Sequence, residues 1–441
     1  EEYLRVGYVG SPRTIFRGIR KLEPGHVLVH DGREAVSRRY WDWLGDFNAA
    51  PPATEDEAVE RIRSTLREAV RCRLISDVPL GAFLSGGVDS SAVVAMMAGL
   101  SERPIRTFSI GFENEGFNEL VYAREVARKF GTEHHEYIVK PESLSEVLPR
   151  LARQFDEPFG DSSALPTYYV SKMARQEVTV CLSGDGGDET MAGYTHYANA
   201  VREMSFDRLP RAARRMLGAA GRLIPPFVSG HRFLHRLAQP ADARYACQIQ
   251  SAYKSQAERV LMPDVFKGIG GGSILLERVL AGPLPKDYLS RMQYADVRAY
   301  LPEDILTKVD RTSMLNSLEV RCPLLDHRFL AVAASIPPSW RMHGMDTKYI
   351  FKKALRGLVP DGVMDRPKMG FSIPGGVWFG AEARGFAREV LTSRSAIQRG
   401  LFRPRVIEGL LQPSRIPRPV TWHVVWSLVV FELWSRSYLD A

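Results

Sequence analysis

The chain has 441 residues, 45% apolar and 25% charged, with a formal net charge of +8. That length points to two or three domains, and the balance excludes a collagen-like, wholly disordered or disulfide-dense chain. The positive charge favours anionic partners such as nucleotides or phosphates, but the densest basic stretch, Arg208 to Arg222, lacks interleaved aromatics and is not read as a nucleic-acid site.

Residues 1–50 read as a separate segment rich in turn residues, with Pro24-Gly25 inside it and Pro51-Pro52 closing it. Thr54-Glu55-Asp56-Glu57 then forms a capping-box pattern, so Thr54 is expected to cap a helix whose apolar face is Val59, Ile62, Leu66, Ala69 and Val70. From residue 80 the pattern changes. Short apolar runs at 80–84, 105–110, 134–139 and 178–182 read as buried strands, and 90–99, 119–130 and 165–175 read as helices, the second stopped by Gly131. This alternation predicts an α/β fold, a doubly wound parallel sheet with helices on both faces. Beyond residue 194 the chain reads as helical, broken by proline and glycine, with Gly270-Gly271-Gly272-Ser273 as a flexible loop. The apolar stretch 422–433 is too short to span a bilayer and reads as a buried helix, so no membrane partner is expected. Cys72, Cys181, Cys247 and Cys322 lie far apart, which excludes a metal knuckle or a CxxC pair and suggests buried, reduced thiols in a cytoplasmic protein. His134-His135 are adjacent in a strand, point to opposite faces and read as packing residues.

In a parallel sheet, ligands bind beyond the carboxyl ends of the strands. Two loops carry unusual chemistry there. Ser85-Gly86-Gly87-Val88-Asp89-Ser90-Ser91 follows the strand at 80–84. Its glycines let backbone N–H groups approach an anion, the following helix adds donors and its positive dipole end, and three serines add hydroxyls. Asp89 would repel a phosphate unless a cation stood between them, so the combination points to a Mg2+–phosphate site; the alternative is a plain turn with an Asp or Ser helix cap. Neither a Walker A pattern nor GxGxxG occurs in it. Ser183-Gly184-Asp185-Gly186-Gly187-Asp188-Glu189 follows the strand at 178–182. Its three acids repel one another unless a cation or protonation relieves them; the alternative is a solvated acidic turn. Both loops follow strands of what reads as one sheet, so Asp89 and Asp188 are expected to converge on one metal.

SGGVDSS resembles the PP-loop of the N-type ATP pyrophosphatases, which cut ATP between the α- and β-phosphates and leave AMP on the substrate. SGDGGDE resembles the second signature of the glutamine-dependent asparagine synthetases. Other segments agree with that family in order: Thr107-Phe108-Ser109-Ile110-Gly111-Phe112, Asp156-Glu157-Pro158-Phe159-Gly160-Asp161-Ser162-Ser163, Tyr300-Leu301-Pro302-Glu303-Asp304-Ile305-Leu306-Thr307-Lys308, Glu319-Val320-Arg321-Cys322-Pro323-Leu324-Leu325-Asp326 and Arg366-Pro367-Lys368-Met369-Gly370-Phe371. At the front, Val6-Gly7-Tyr8-Val9, Lys21-Leu22-Glu23-Pro24-Gly25-His26 and Arg39-Tyr40-Trp41 resemble the tail of the family's glutaminase domain and the exit from it.

The resemblance implies residues 1–50 as a short strand-rich remnant of a glutaminase domain and 51–441 as a synthetase domain, with an ATP-binding α/β core over about 54–200 and a helical cover over about 201–441. It implies Asp89 and Asp188 as Mg2+ ligands and Ser85, Gly86, Gly87 and Ser90 as the pyrophosphate cradle. Leu84, Ile110, Ser183 and Gly184 would contact the adenosine part of ATP, and Asp185, where many relatives carry Glu, would serve acyl-adenylate formation. Lys368 matches an active-site lysine, with Lys308 a further catalytic candidate. Thr190-Met191 replaces the Leu-Phe common in relatives and touches none of these roles. The implied activity is asparagine synthesis from aspartate, ATP and ammonia, a ligase reaction. Because the family's glutaminase uses an N-terminal cysteine and this chain starts at Glu1, ammonia rather than glutamine is the expected nitrogen source, with a separate glutaminase chain or a homodimer compatible with the reading. The alternatives are a family member acting on another carboxylate, a non-catalytic ATP-binding remnant, and a different PP-loop activity on tRNA.

Overall fold

The computed structural model describes the chain except residues 113–117, 140–143, 224–230, 251–253, 270–271, 367–380, 413–418 and 441. The first element is a short helix, α1 (Glu2–Val6); an antiparallel ribbon, β1 (His26–His30) and β2 (Ala35–Arg39), and a 3-10 turn, Trp43–Asn48, follow it. These pieces sit in different surroundings. Tyr3 is buried and donates its hydroxyl to Ser427 O at 2.6 Å, and Trp43, fully buried, donates Nε1 to Leu330 O at 2.8 Å. The ribbon between them stands out, with Val27, Leu28, Val29 and Val36 all exposed.

Thr54 caps the first long helix, α2 (Glu55–Arg73), as its sequence predicts: its hydroxyl accepts from Glu57 N at 3.2 Å. The Glu57 carboxylate reaches back one residue further than a capping box requires, to Ala53 N at 2.7 Å. Ala58, Ile62, Leu66, Ala69 and Val70 form the buried face of α2.

The sheet is built from β3 (Leu80–Phe83), β4 (Arg106–Phe112), β5 (Glu133–Val139), β6 (Val180–Leu182) and β7 (Glu319–Arg321). All pairs are parallel, in the order β5-β4-β3-β6-β7. Between the strands run α3 (Val88–Ala98), α4 (Leu120–Phe130), α5 (Leu144–Gln154) and α6 (Ala164–Ala174). Alternating strand residues enter different cores, which places helices on both faces: Ala82, Leu84 and Leu182 pack with α2, α3 and α4, whereas Phe108 and Cys181 pack with Val170 and Ala174 of α6. The predicted strands and helices all form, with ends shifted by a residue or two. Within this sheet, β7 is the strand that periodicity does not reveal. It is three residues long, lies at an edge, and has only Val320 apolar between Glu319 and Arg321.

The regular elements among the described residues after 194 are helices, apart from β7 and isolated bridges. The stretch expected to be a buried helix lies within Pro419–Tyr438, where Val425, Leu428 and Trp434 are buried. No helix among the described residues is long and apolar enough to cross a membrane. All four cysteines are free.

The sheet order positions the site. The chain leaves β3 toward β4 and β5, then returns to the other side of β3 with β6. The carboxyl ends of β3 and β6 therefore flank the point where the winding reverses, where such sheets open a crevice.

Candidate active site

The loop after β3 turns back on itself at Gly86, whose φ of +70° suits glycine, and a Cβ there would lie 2.7 Å from Tyr122 Cβ. Ser85 and Ser90 hydroxyls lie 3.1 Å apart, Gly87 N donates to Ser85 Oγ at 3.2 Å, and Ser90 Oγ donates to Gly87 O at 3.2 Å. The residue capping α3 is Gly87, which has no side chain to satisfy the first-turn amides. Neither an Asp nor a Ser caps this helix, so its N-terminus keeps donors directed at the crevice.

The loop after β6 packs directly onto the first. A Cβ on Gly184 would lie 2.6 Å from Ser90 N, and one on Gly187 would overlap the Asp89 carboxylate. Asp89 and Asp188 thus come from separate loops and meet. Between them stands a residue that sequence reasoning missed, Lys348, whose Nζ is 2.6 Å from Asp188 Oδ1 and also pairs with Asp89 Oδ2. Its side chain is only 6% exposed. Burial alone would lower its pKa, but Asp188 and Asp89 outweigh burial and hold the ammonium charged, above its ordinary range. Lys348 has a left-handed φ of +56° and precedes the helix Tyr349–Leu355. No local pattern in the sequence marks it; only its position across the cleft does.

The remaining acid of the second loop, Glu189, is buried and accepts from Tyr194 OH at 2.7 Å. Burial first, and then the charge of Asp188, push its carboxyl up to about 8, so it is neutral at pH 7. The repulsion foreseen within SGDGGDE is therefore relieved by protonation of Glu189 together with the ammonium of Lys348.

These loops line a cavity of about 470 Å³. Leu84, Ser85, Gly87, Asp89, Ser90, Ile110, Ser183, Gly184, Asp185, Asp188 and Lys308 all line it; Gly86, expected in the phosphate cradle, does not, because it makes the turn against Tyr122 and Ala123. Lys368 lies outside the described residues. Lys308 follows a π-helical turn, Leu301–Leu306, a rare geometry that recurs at functional sites. Its Nζ donates to Ser163 Oγ at 2.8 Å and to Asp161 Oδ2 at 3.0 Å. Burial opposes the charge on Lys308, but Asp161, Asp304 and Asp185 outweigh it and raise its pKa. Asp304 itself is pushed above the carboxylate range by burial and then by Asp161, with the charge of Lys308 opposing. Behind the cavity-lining Ser183, its Oγ and Cys322 Sγ are 3.4 Å apart, and burial pushes the Cys322 thiol up to about 12.

Among the described residues no group of three or more His, Cys, Asp or Glu side chains forms a metal centre. His134 shares a 2.8 Å hydrogen bond with Thr107 Oγ1, and His135 stacks on Phe108 at 5.2 Å, so both pack against the sheet. The Asp89–Asp188 pair still fits Mg2+: two hard carboxylates converge on one position that a cationic nitrogen occupies, beside amides and hydroxyls suited to phosphate. Mg2+ characteristically takes one or two carboxylates and completes its shell with phosphate oxygens and water.

Comparison with known proteins agrees with this geometry. A family model described as asparagine synthase matches residues 61–436. The chain is 30% identical, over its whole length and 68% of the relative's, to glutamine-hydrolyzing asparagine synthetase 1 of Bacillus subtilis. It is 29% identical to asparagine synthetase 3 of the same organism, over 83% of this chain and 56% of that relative. A more distant match, 25% identical over 87% of this chain and 62% of the relative, is the amidase chyE of Penicillium rubens.

Proposed function

Because the chain belongs to the asparagine synthase family, we propose that it is an ATP-dependent ligase that converts aspartate to asparagine through an acyl-adenylate. The observation that carries this reading is the meeting of Asp89 and Asp188 on one cation position beside the open N-terminus of α3.

The proposed chemistry has two displacements. An oxygen of the aspartate β-carboxylate attacks the α-phosphorus of ATP, and the α–β bridging bond breaks to release pyrophosphate. Ammonia then attacks the acyl carbon, AMP leaves with the carboxylate oxygen, and the nitrogen loses a proton to form the amide. The difficulty of the first step is charge, since a carboxylate must approach a polyphosphate. Mg2+, held by Asp89 and Asp188, would supply charge neutralisation and template the phosphates. The chain's own groups do the rest. Ser85, Gly87 and Ser90 hold phosphate oxygens through hydroxyls and amides, and Leu84, Ile110, Ser183 and Gly184 bound the adenosine. Lys308, fixed on Asp161 and Ser163, places a cation near Asp185 on the acceptor side. Lys368 is proposed to add a further cation. The walls of the cavity shield the adenylate from water.

The decisive experiment is a substrate panel with ¹⁸O-labelled carboxylates. Pyrophosphate release that requires aspartate, with label appearing in AMP, is the expected result. Release that ignores aspartate and follows another carboxylic acid would sink the acceptor assignment while keeping the adenylation chemistry. That second reading is supported by the amidase name of one distant relative.

A further inference from the structure

The cavity holds four described Lys and Arg side chains, and its three lysines each spend their single charged nitrogen on carboxylates. Lys348 pairs with Asp89 and Asp188, Lys308 with Asp161, and Lys352 with Asp346. The fourth, Arg366, is different. One arm of its guanidinium, Nη2, meets Glu119 Oε1 at 2.6 Å, and Cζ lies 4.7 Å over the Tyr122 ring. The other arm, Nη1, is buried and has no hydrogen-bond partner, although the side chain is only 8% exposed. An arginine nitrogen left unpaired in a buried position is costly unless something completes it. The group also stands beside the glycine-rich loop: a Cβ on Gly87 would lie 3.6 Å from Nη2.

We propose that Arg366 binds phosphate in this site, and that its Nη1 arm takes oxygens of the nucleotide's terminal phosphates and of the pyrophosphate that departs. Glu119 and Tyr122 are its positioning residues. The carboxylate occupies one arm, which stands beside Gly87, and the ring fixes the guanidinium plane, which leaves the second arm of the same fork without a partner. A planar fork suits this task better than an ammonium, because it serves Glu119 and a phosphate at the same time. The proposal rests on the ATP reading above.

The test is calorimetric titration of the full chain with magnesium pyrophosphate and, separately, with AMP. R366Q is expected to weaken pyrophosphate binding about tenfold, in line with the loss of a charge-assisted hydrogen bond, and to leave AMP affinity within about twofold. R366K keeps the charge and loses the fork, so pyrophosphate affinity should fall by about threefold with AMP again unchanged; this variant carries the test if R366Q melts early. Unchanged pyrophosphate affinity in a folded variant, or equal losses for pyrophosphate and AMP, would overturn the assignment. A native chain that binds neither ligand would overturn the nucleotide reading itself, before any variant is compared.

Discussion

Lys348 does in this structure what a metal is proposed to do in the working enzyme: it stands between two carboxylates that would otherwise repel each other. Removing it separates the two roles. In Lys348→Ala the free protein keeps Asp89 and Asp188 close together with no ammonium, and breaking a pair this enclosed costs about 3 kcal/mol. A divalent cation should recover much of that. Melting of K348A is therefore expected to be low in chelator and to rise more with Mg2+ than melting of the unaltered chain; an equal rise in both would show that the two carboxylates hold no Mg2+. The complementary change, Asp188→Asn, removes a proposed metal ligand, and aspartate-dependent pyrophosphate release should fall by at least about a hundredfold, the upper range for loss of a group that fixes a metal ligand. Of these residues, Asp89 and Asp188 were legible in the sequence because the glycine-rich loops around them have no cheaper structural explanation as a pair. Lys348 and Arg366 were not, because a lysine or arginine outside such a loop reads as a solvated side chain until the fold shows what faces it.

Elements here are held by devices readable one at a time. The helix His327–Ser335 is capped by Asp326, which accepts from Arg328 N at 3.0 Å, Arg328 Nε at 2.9 Å and Arg73 Nη1 at 2.9 Å, so the cap also ties this helix to α2. Arg328, then Arg73 and the Arg328 amide, hold the Asp326 carboxyl far below the usual carboxylate range against the opposing effect of burial. The sign follows from linkage. A carboxyl with a depressed folded pKa adds stability that is present above the unfolded value, about 3.9, and is lost as the pH falls through the folded value. Asp326→Ala should cost about 2 kcal/mol at pH 7, from the lost cap and its charged partners. In urea titrations the gap between the native chain and D326A should narrow as the pH is lowered below about 4; a gap that stays constant with pH would contradict the assignment. α2 shows how far local signals reach. Thr54 and the face from Ile62 to Val70 were visible as a cap and a 3.6-residue period, whereas β7 was invisible because three residues with one apolar side chain carry no period at all.

At the scale of the molecule, two segments nearly a hundred residues apart become one site because the chain reverses its winding at β3 and lays β6 beside it. The second displacement of the reaction proposed there needs ammonia as its nucleophile. Ammonium chloride should support asparagine formation at a rate that rises with pH as more NH3 becomes available; a rate indifferent to added ammonium would contradict the proposed second displacement. The sequence by itself determined the alternation of strand and helix, and it marked the two glycine-rich loops as anion-binding chemistry. Both follow from local properties, the side-chain period and backbone freedom. The tertiary structure alone decided which strand lies next to which, that Lys348 and Arg366 cross to the loops, and that Glu189 keeps its proton. Those outcomes depend on burial and on charges brought together from distant positions, and neither is written in any short stretch of chain.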